Sequence, residues 1–228
     1  MARLHGHLDA ALHLLDRQVV DVDGALVGKV DDLEITEYAD GRLEVTGLLL
    51  GPAALVVRVA TRHDDRALAW WVRLGPQWRD RGRPGWISIE DVKQLDSEVT
   101  LRKRRAGVVV PQPEAAPGRT LHRASTLLES TVVGPGGEVL EERVRDFRLE
   151  PGERPTVHAL IVSRGRPGTL LGYDRDRVRR PVLLAKALGW LNRHTGELGL
   201  DDVEIDWDGR TVRSRRLPGP LTRLHAEA

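Results

Sequence analysis

Apolar and polar residues alternate along most of this chain, in runs that Gly, Pro and Asp turns keep short. Gln18–Val22 predicts a strand, closed by Asp23-Gly24 as a two-residue hairpin turn because both positions tolerate φ > 0. The period-2 pattern resumes from Ala25 to Thr36 through Val27, Val30, Leu33 and Ile35, with Gly28 as a bulge or close-packing point. Asp40-Gly41 makes a second turn, and Leu43–Leu50 reads as a strand whose Leu48-Leu49-Leu50 run is buried on both faces. Asp64–Leu74 predicts a short helix that starts at an acidic cap and stops at Gly75-Pro76. Trp86–Ile89 is a further strand, and Val92–Leu101 holds a hairpin around Asp96-Ser97.

The plan then recurs. Leu14-Leu15-Asp16, Val19-Val20 and Val30-Asp31-Asp32-Leu33 are answered by Leu127-Leu128-Glu129, Val132-Val133 and Val144-Arg145-Asp146-Phe147, at an offset of 113 growing to 114. Gly47-Leu48-Leu49-Leu50 matches Ala159-Leu160-Ile161-Val162, and Ile89-Glu90-Asp91-Val92 matches Leu200-Asp201-Asp202-Val203. Blocks matched in the same order mark a duplication. The second copy has Pro135-Gly136-Gly137 as its first turn, a helix at Arg180–Arg193 and a closing hairpin across Asp208-Gly209. Many short strands with few helices predict a mainly β chain of two tandem small β-barrels, each with a short helix. The expected boundaries are a first domain at 1–105, a Pro- and Gly-bearing linker at 106–118, a divergent second domain at 119–216 and a tail at 217–228.

Composition narrows the function classes. With 228 residues, 40% hydrophobic and 30% charged, the chain can bury two small cores. Cutting after Val110 gives 16 basic and 17 acidic residues before the cut and 19 and 17 after it, which counts against nucleic acid as the default partner. There is no Cys, so disulfides and thiolate chemistry are excluded. No apolar run approaches the roughly 20 residues of a membrane-spanning helix, and the first residues make a poor signal peptide, so a cytoplasmic location is expected. Lys occurs only at 29, 93, 103 and 186, an Arg bias that reads as a high-GC, actinobacterial coding preference.

The run Leu15-Asp16-Arg17-Gln18-Val19-Val20-Asp21-Val22-Asp23-Gly24-Ala25-Leu26-Val27-Gly28-Lys29-Val30-Asp31-Asp32-Leu33 resembles the start of a PRC-barrel domain, and Ile87-Ser88-Ile89-Glu90-Asp91-Val92 resembles its closing strand. In that family a Val-Val strand, an Asp-Gly turn, a Gly-Lys-Val step and an acidic exit recur in this order. Residues 10–103 carry the resemblance; residues 120–216 inherit it through the duplication and depart from it at Glu141-Glu142, where the Gly-Lys step would fall. The family includes a cytoplasmic domain of photosynthetic reaction centres and the C-terminal domain of a ribosome maturation factor. The chain is also similar to actinobacterial double-barrel proteins. The resemblance implies a non-enzymatic interaction or adaptor module, with a membrane-associated complex as one setting, no cofactor and no catalytic residues to carry over. An oligomer is compatible with it.

The candidate chemistry is sparse. Trp70 and Trp71 are neighbours about 100° apart on the expected helix, so both cannot face one core. With Trp78 and Trp190 they are the candidate partner-binding residues, interdomain packing being the competing reading. Trp86 and Trp207 fall in strands and read as core. The alternative function, an RNA- or ribosome-assembly-associated factor, would use Arg102, Lys103, Arg104, Arg105, Arg177, Arg179 and Arg180. His5 and His7 lack a third ligand at a motif-like spacing, so no metal site is expected. His158 reads as a packed strand residue, and His194 as a cation at a helix end. Asp21-Val22-Asp23-Gly24 begins like a calcium loop but lacks the later Glu, so turn formation is favoured. The paired acids Glu90-Asp91 and Asp201-Asp202 point to a shared structural role.

Overall fold

The computed structural model describes residues 8–60, 83–95, 97–150, 154–164 and 195–220. The first half of the chain contributes β1 (Leu8–Asp9), α1 (Ala10–His13), β2 (Gln18–Val20), β3 (Leu26–Lys29), β4 (Asp32–Tyr38), β5 (Leu43–Leu50), α2 (Pro52–Ala60), β6 (Gly85–Ser88), β7 (Val92–Leu95), β8 (Val99–Leu101) and β9 (Val110–Pro111). The second contributes β10 (Arg119–Arg123), α3 (Ala124–Leu127), β11 (Thr131–Val133), β12 (Val139–Glu150), β13 (Thr156–Ser163), β14 (Thr195–Gly199), β15 (Val203–Asp206), β16 (Thr211–Ser214) and β17 (Gly219–Pro220). The chain is mainly β, and among the described residues its sheets are open. The helices expected at 64–74 and 180–193 lie outside the described residues.

Two compact units form, and neither is a continuous half of the chain. The first gathers residues 13–126, where β10, β4, β5, β6 and β9 pair antiparallel in that order. Its second sheet runs β3-β2-β8-β7, with β2 and β8 parallel. The second unit takes residues 5–12 together with 127–150 and the chain from 157. There β1 pairs with β12, β12 lies beside β13, and β13, β14 and β17 follow antiparallel. Its other branch runs β12-β11-β16-β15, with β11 and β16 parallel.

These ladders match strand for strand. Gly47 to Leu50 oppose Ser88 to Gly85, as Ala159 to Val162 oppose Gly199 to Gly196. Even β9, inside the expected linker, has its counterpart in β17: Pro111 faces Gly85 as Pro220 faces Gly196. Residues of the 106–118 segment are thus laid into the first unit's sheet. The exchange lies in the leading strands: β10 edges the first unit and β1 the second. After each short helix the chain turns through a left-handed residue, Asp16 (φ 65) and Glu129 (φ 68).

Local chemistry explains the differences from the sequence pattern. The stretch 25–36 is two strands, because Asp31 turns aside to accept the Gly51 amide at 2.7 Å. The second unit has Arg145 there, and β12 runs on uninterrupted. The turn at Asp23-Gly24 is a three-residue loop rather than a two-residue one, and the turn at Asp40-Gly41 is a three-residue loop as well. Asp21 and Tyr38 N–H groups donate to Ala25 and Arg42 carbonyls, and Gly24 and Gly41 take φ +81 as the last loop residue. Gly134–Glu138 closes in the same way over Pro135-Gly136-Gly137. Each unit buries its own apolar set, Val19, Leu33, Ile35, Leu48, Leu49 and Ile87 in the first, Val132, Phe147, Leu149, Leu160, Ile161 and Leu198 in the second. Burying each such side chain contributes about 1.5–3 kcal/mol.

Candidate functional site

The most distinctive chemistry lies where each leading strand docks. Asp32 opens β4 and is fully buried; its Oδ1 accepts the Ser125 amide at 3.1 Å and its Oδ2 the Ser125 hydroxyl at 2.5 Å. Asp146 holds the matching place on β12, accepting the Ala11 amide at 2.6 Å and the Leu12 amide at 3.0 Å. Both carboxylates thus bind free N–H groups at the start of a short helix, α3 or α1. Burial raises the Asp32 carboxyl above the ordinary aspartate range, against the Ser125 and Leu33 hydrogen bonds and the charge of Arg123. Arg123 is lowered from its usual value, again chiefly by burial.

Two residues along each strand, the equivalent side chains carry opposite charge. In the first unit Glu34 is buried and stands opposite Arg123 of β10. Its carboxylate accepts from Trp86 Nε1 at 2.9 Å, Thr46 Oγ1 at 2.8 Å and Gln112 Nε2 at 2.7 Å. The indole reaches it across Gly47, where a Cβ would lie 1.9 Å from Trp86 Nε1. Arg123 Nη1 donates to the Ala53 carbonyl at 3.3 Å. In the second unit the place of Glu34 belongs to Arg148, buried and opposite Asp9 of β1. Arg148 Nε donates to Asp9 Oδ1 at 3.0 Å, and its Nη1 to Glu197 Oε2 at 2.9 Å. Glu197 stands where Trp86 stands, and Ala159 replaces Gly47, since no indole has to cross there.

Trp86 is therefore half-buried rather than a core residue, and Trp207 is half-buried in the turn after β15. Trp70, Trp71, Trp78 and Trp190 lie outside the described residues, as do Arg177, Arg179 and Arg180. The structure places Arg102–Arg105 at the rim of the small sheet of the first unit. Arg102 Nε donates to the Val92 carbonyl, Lys103 pairs with Asp91 at 2.8 Å and Arg104 with Asp23 at 2.9 Å. The Arg105 amide donates to Asp21 Oδ2 at 2.8 Å. That bond and one from the Ala25 amide hold Asp21 below the ordinary aspartate range. The second unit repeats the pattern, with Arg216 beside Asp202 at 3.4 Å and the Arg215 amide on the Asp202 carbonyl. The paired acids thus sit in 3-10 turns, Ile89–Asp91 and Leu200–Asp202, that receive the returning strand.

His158 is partly exposed and lies 4.0 Å from Glu197 Oε1. Among the described residues no group of three or more His, Asp or Glu converges as a metal site, and no helix is long and apolar enough to cross a membrane. Leu26 and Val139, the first residues of β3 and β12, are 55% and 66% exposed. They are equivalent, pairing with Val20 and Val133 in the two first hairpins. Aligning the two halves marks Asp32 and Asp146 as a shared acid before an apolar residue, and Glu34 and Arg148 as a reversal. What each touches depends on strand pairing far along the chain.

No family model matches the chain, and no curated protein matches it in sequence.

Proposed function

We propose that the chain is a non-enzymatic protein-interaction module built from a duplicated PRC-barrel-like fold, each unit being one copy of a small barrel. The reading rests on the resemblance carried by residues 15–33 and 87–92 and on the repetition of the strand order in two units. The observation that carries the interaction is the exposed aliphatic pair Leu26 and Val139. An isolated exposed apolar residue needs no explanation. The same exposed position kept apolar in both copies, at the start of the second strand of the first hairpin, is a surface another chain can cover in each unit. Trp70, Trp71, Trp78 and Trp190, outside the described residues, are proposed as further partner-binding residues on their sequence pattern.

The test is affinity capture from native lysate by wild-type chain, by L26D/V139D and by W70A/W71A, with and without nuclease. A partner protein retained by wild type in the presence of nuclease and lost with L26D/V139D supports the proposal. Loss with W70A/W71A adds the tryptophans. Capture unchanged in both variants overturns it, and capture abolished by nuclease replaces it with the RNA-associated reading. Lys103 and Arg104 each pair with an acid, Asp91 and Asp23, which favours the protein-interaction reading over the RNA-associated one. A cytoplasmic location and a membrane-associated complex as the setting belong to this proposal.

A further inference from the structure

We propose that the reversed charges at the strand-docking sites form a pairing code, which makes each unit accept the leading segment of one half of the chain and reject that of the other. The backbone cannot make this choice. Both leading strands run antiparallel to their hosts, and both short helices are received by a buried aspartate, Asp32 or Asp146. Either helix start offers those carboxylates the N–H groups they need. The side chains opposite positions 34 and 148 do discriminate. Were the segment bearing Asp9 to dock on β4, in the same chain or a second copy, its carboxylate would face that of Glu34, and the Ala53 carbonyl that receives Arg123 would face an acceptor. Were the segment bearing Arg123 to dock on β12, one guanidinium would be buried against another, that of Arg148. Buried like charges are costly, whereas the observed registers set acid opposite base in both units, with a direct ion pair between Asp9 and Arg148 in the second. Neighbours reinforce the choice: His122 Nε2 lies 2.7 Å from Glu37 Oε2, and the Arg119 guanidinium lies 5.0 Å from the Tyr38 ring centre.

Because the chain has no cysteine, introduced thiol pairs report docking without background. Leu8 faces Leu149 in the observed register. On β4 it would take the place of His122, which faces Ile35. Oxidised L8C/L149C should cross-link in nearly every molecule and L8C/I35C in almost none, with peptide mapping and non-reducing gels separating bonds within one chain from bonds between two. Reversing both leading segments with D9R/R123D should move the preference, so that the 8–35 bond, within or between chains, exceeds the 8–149 bond at least several-fold. Persistence of the 8–149 bond alone in that background would overturn the code. If D9R/R123D does not fold, the decision passes to D9R, R148E and D9R/R148E. Each single change should deplete the 8–149 bond and the double change should restore most of it; no restoration also overturns the proposal.

Discussion

The two units share the order and sense of their paired strands yet anchor their leading strands with opposite electrostatics. The first holds a buried carboxylate, Glu34, with neutral donors from Trp86, Thr46 and Gln112. The second holds a buried guanidinium, Arg148, between two carboxylates, Asp9 and Glu197. Backbone hydrogen bonding and apolar burial define this scaffold, and the buried polar site accepts a reversed charge where the residue opposite on the leading strand reverses with it. A buried charge is thus a relation between strands far apart in sequence, and it constrains pairing more than it constrains fold.

The largest expected effect breaks that relation on one side only. R148M leaves Asp9 and Glu197 without their shared cation and should lower unfolding free energy by about 3–5 kcal/mol. E34Q keeps an acceptor for neutral donors and should cost nearer 1 kcal/mol, both read by urea denaturation. Similar losses would remove the distinction between the units. Next comes the core: Phe147 and Leu33 are equivalent and fully buried. F147A should cost about 3–5 kcal/mol and L33A about 2–5, measured in the same way. A smaller effect tests the indole crossing. G47A places a Cβ against Trp86 and should cost about 1–3 kcal/mol, with the indole fluorescence shifted, whereas A159G should cost about 1 kcal/mol or less.

The pH dependence separates two aspartates. Burial raises the folded pKa of Asp32 above its unfolded value, so its ionisation costs stability. Relative to D32N, wild type should lose stability as pH rises from the unfolded aspartate pKa of about 3.9 through the raised folded value. Asp21, lowered by the Arg105 and Ala25 amides, has the opposite sign: its contribution is present above the unfolded pKa and lost as pH falls through the folded one. Chemical denaturation across pH 3–8 of wild type, D32N and D21N checks both slopes. Smallest of all, R104A removes an exposed pair with Asp23 and should change stability by about 0.5 kcal/mol or less.

Much of the scaffold was legible in the sequence. The duplication, the buried Leu48-Leu49-Leu50 run and the register that sets Gly47 with Ala159 all follow from short-range pattern, because period-2 alternation and turn residues are local signals. The break between β3 and β4 was not legible, since Asp31 leaves the strand for an amide twenty residues away. The half-buried place of Trp86 was hidden for a related reason. Its place in an apolar strand suggested core, but its indole nitrogen serves a carboxylate brought beside it by β5. The exchange of leading strands was hidden altogether, because the two leading segments are short and their pairing is set far along the chain. The reversal from Glu34 to Arg148, matched by that from Arg123 to Asp9, is the charge signal that separates the two dockings.

That exchange also bears on how such a gene can change. Deleting either half would strip the survivor of an edge strand and strand a buried aspartate facing no helix, and the half left behind would carry a leading segment of the wrong charge for its own sheet. Once the first reversed pair was in place, the duplication could no longer be trimmed back to a single copy in one step, so the tandem arrangement is locked in by its own history.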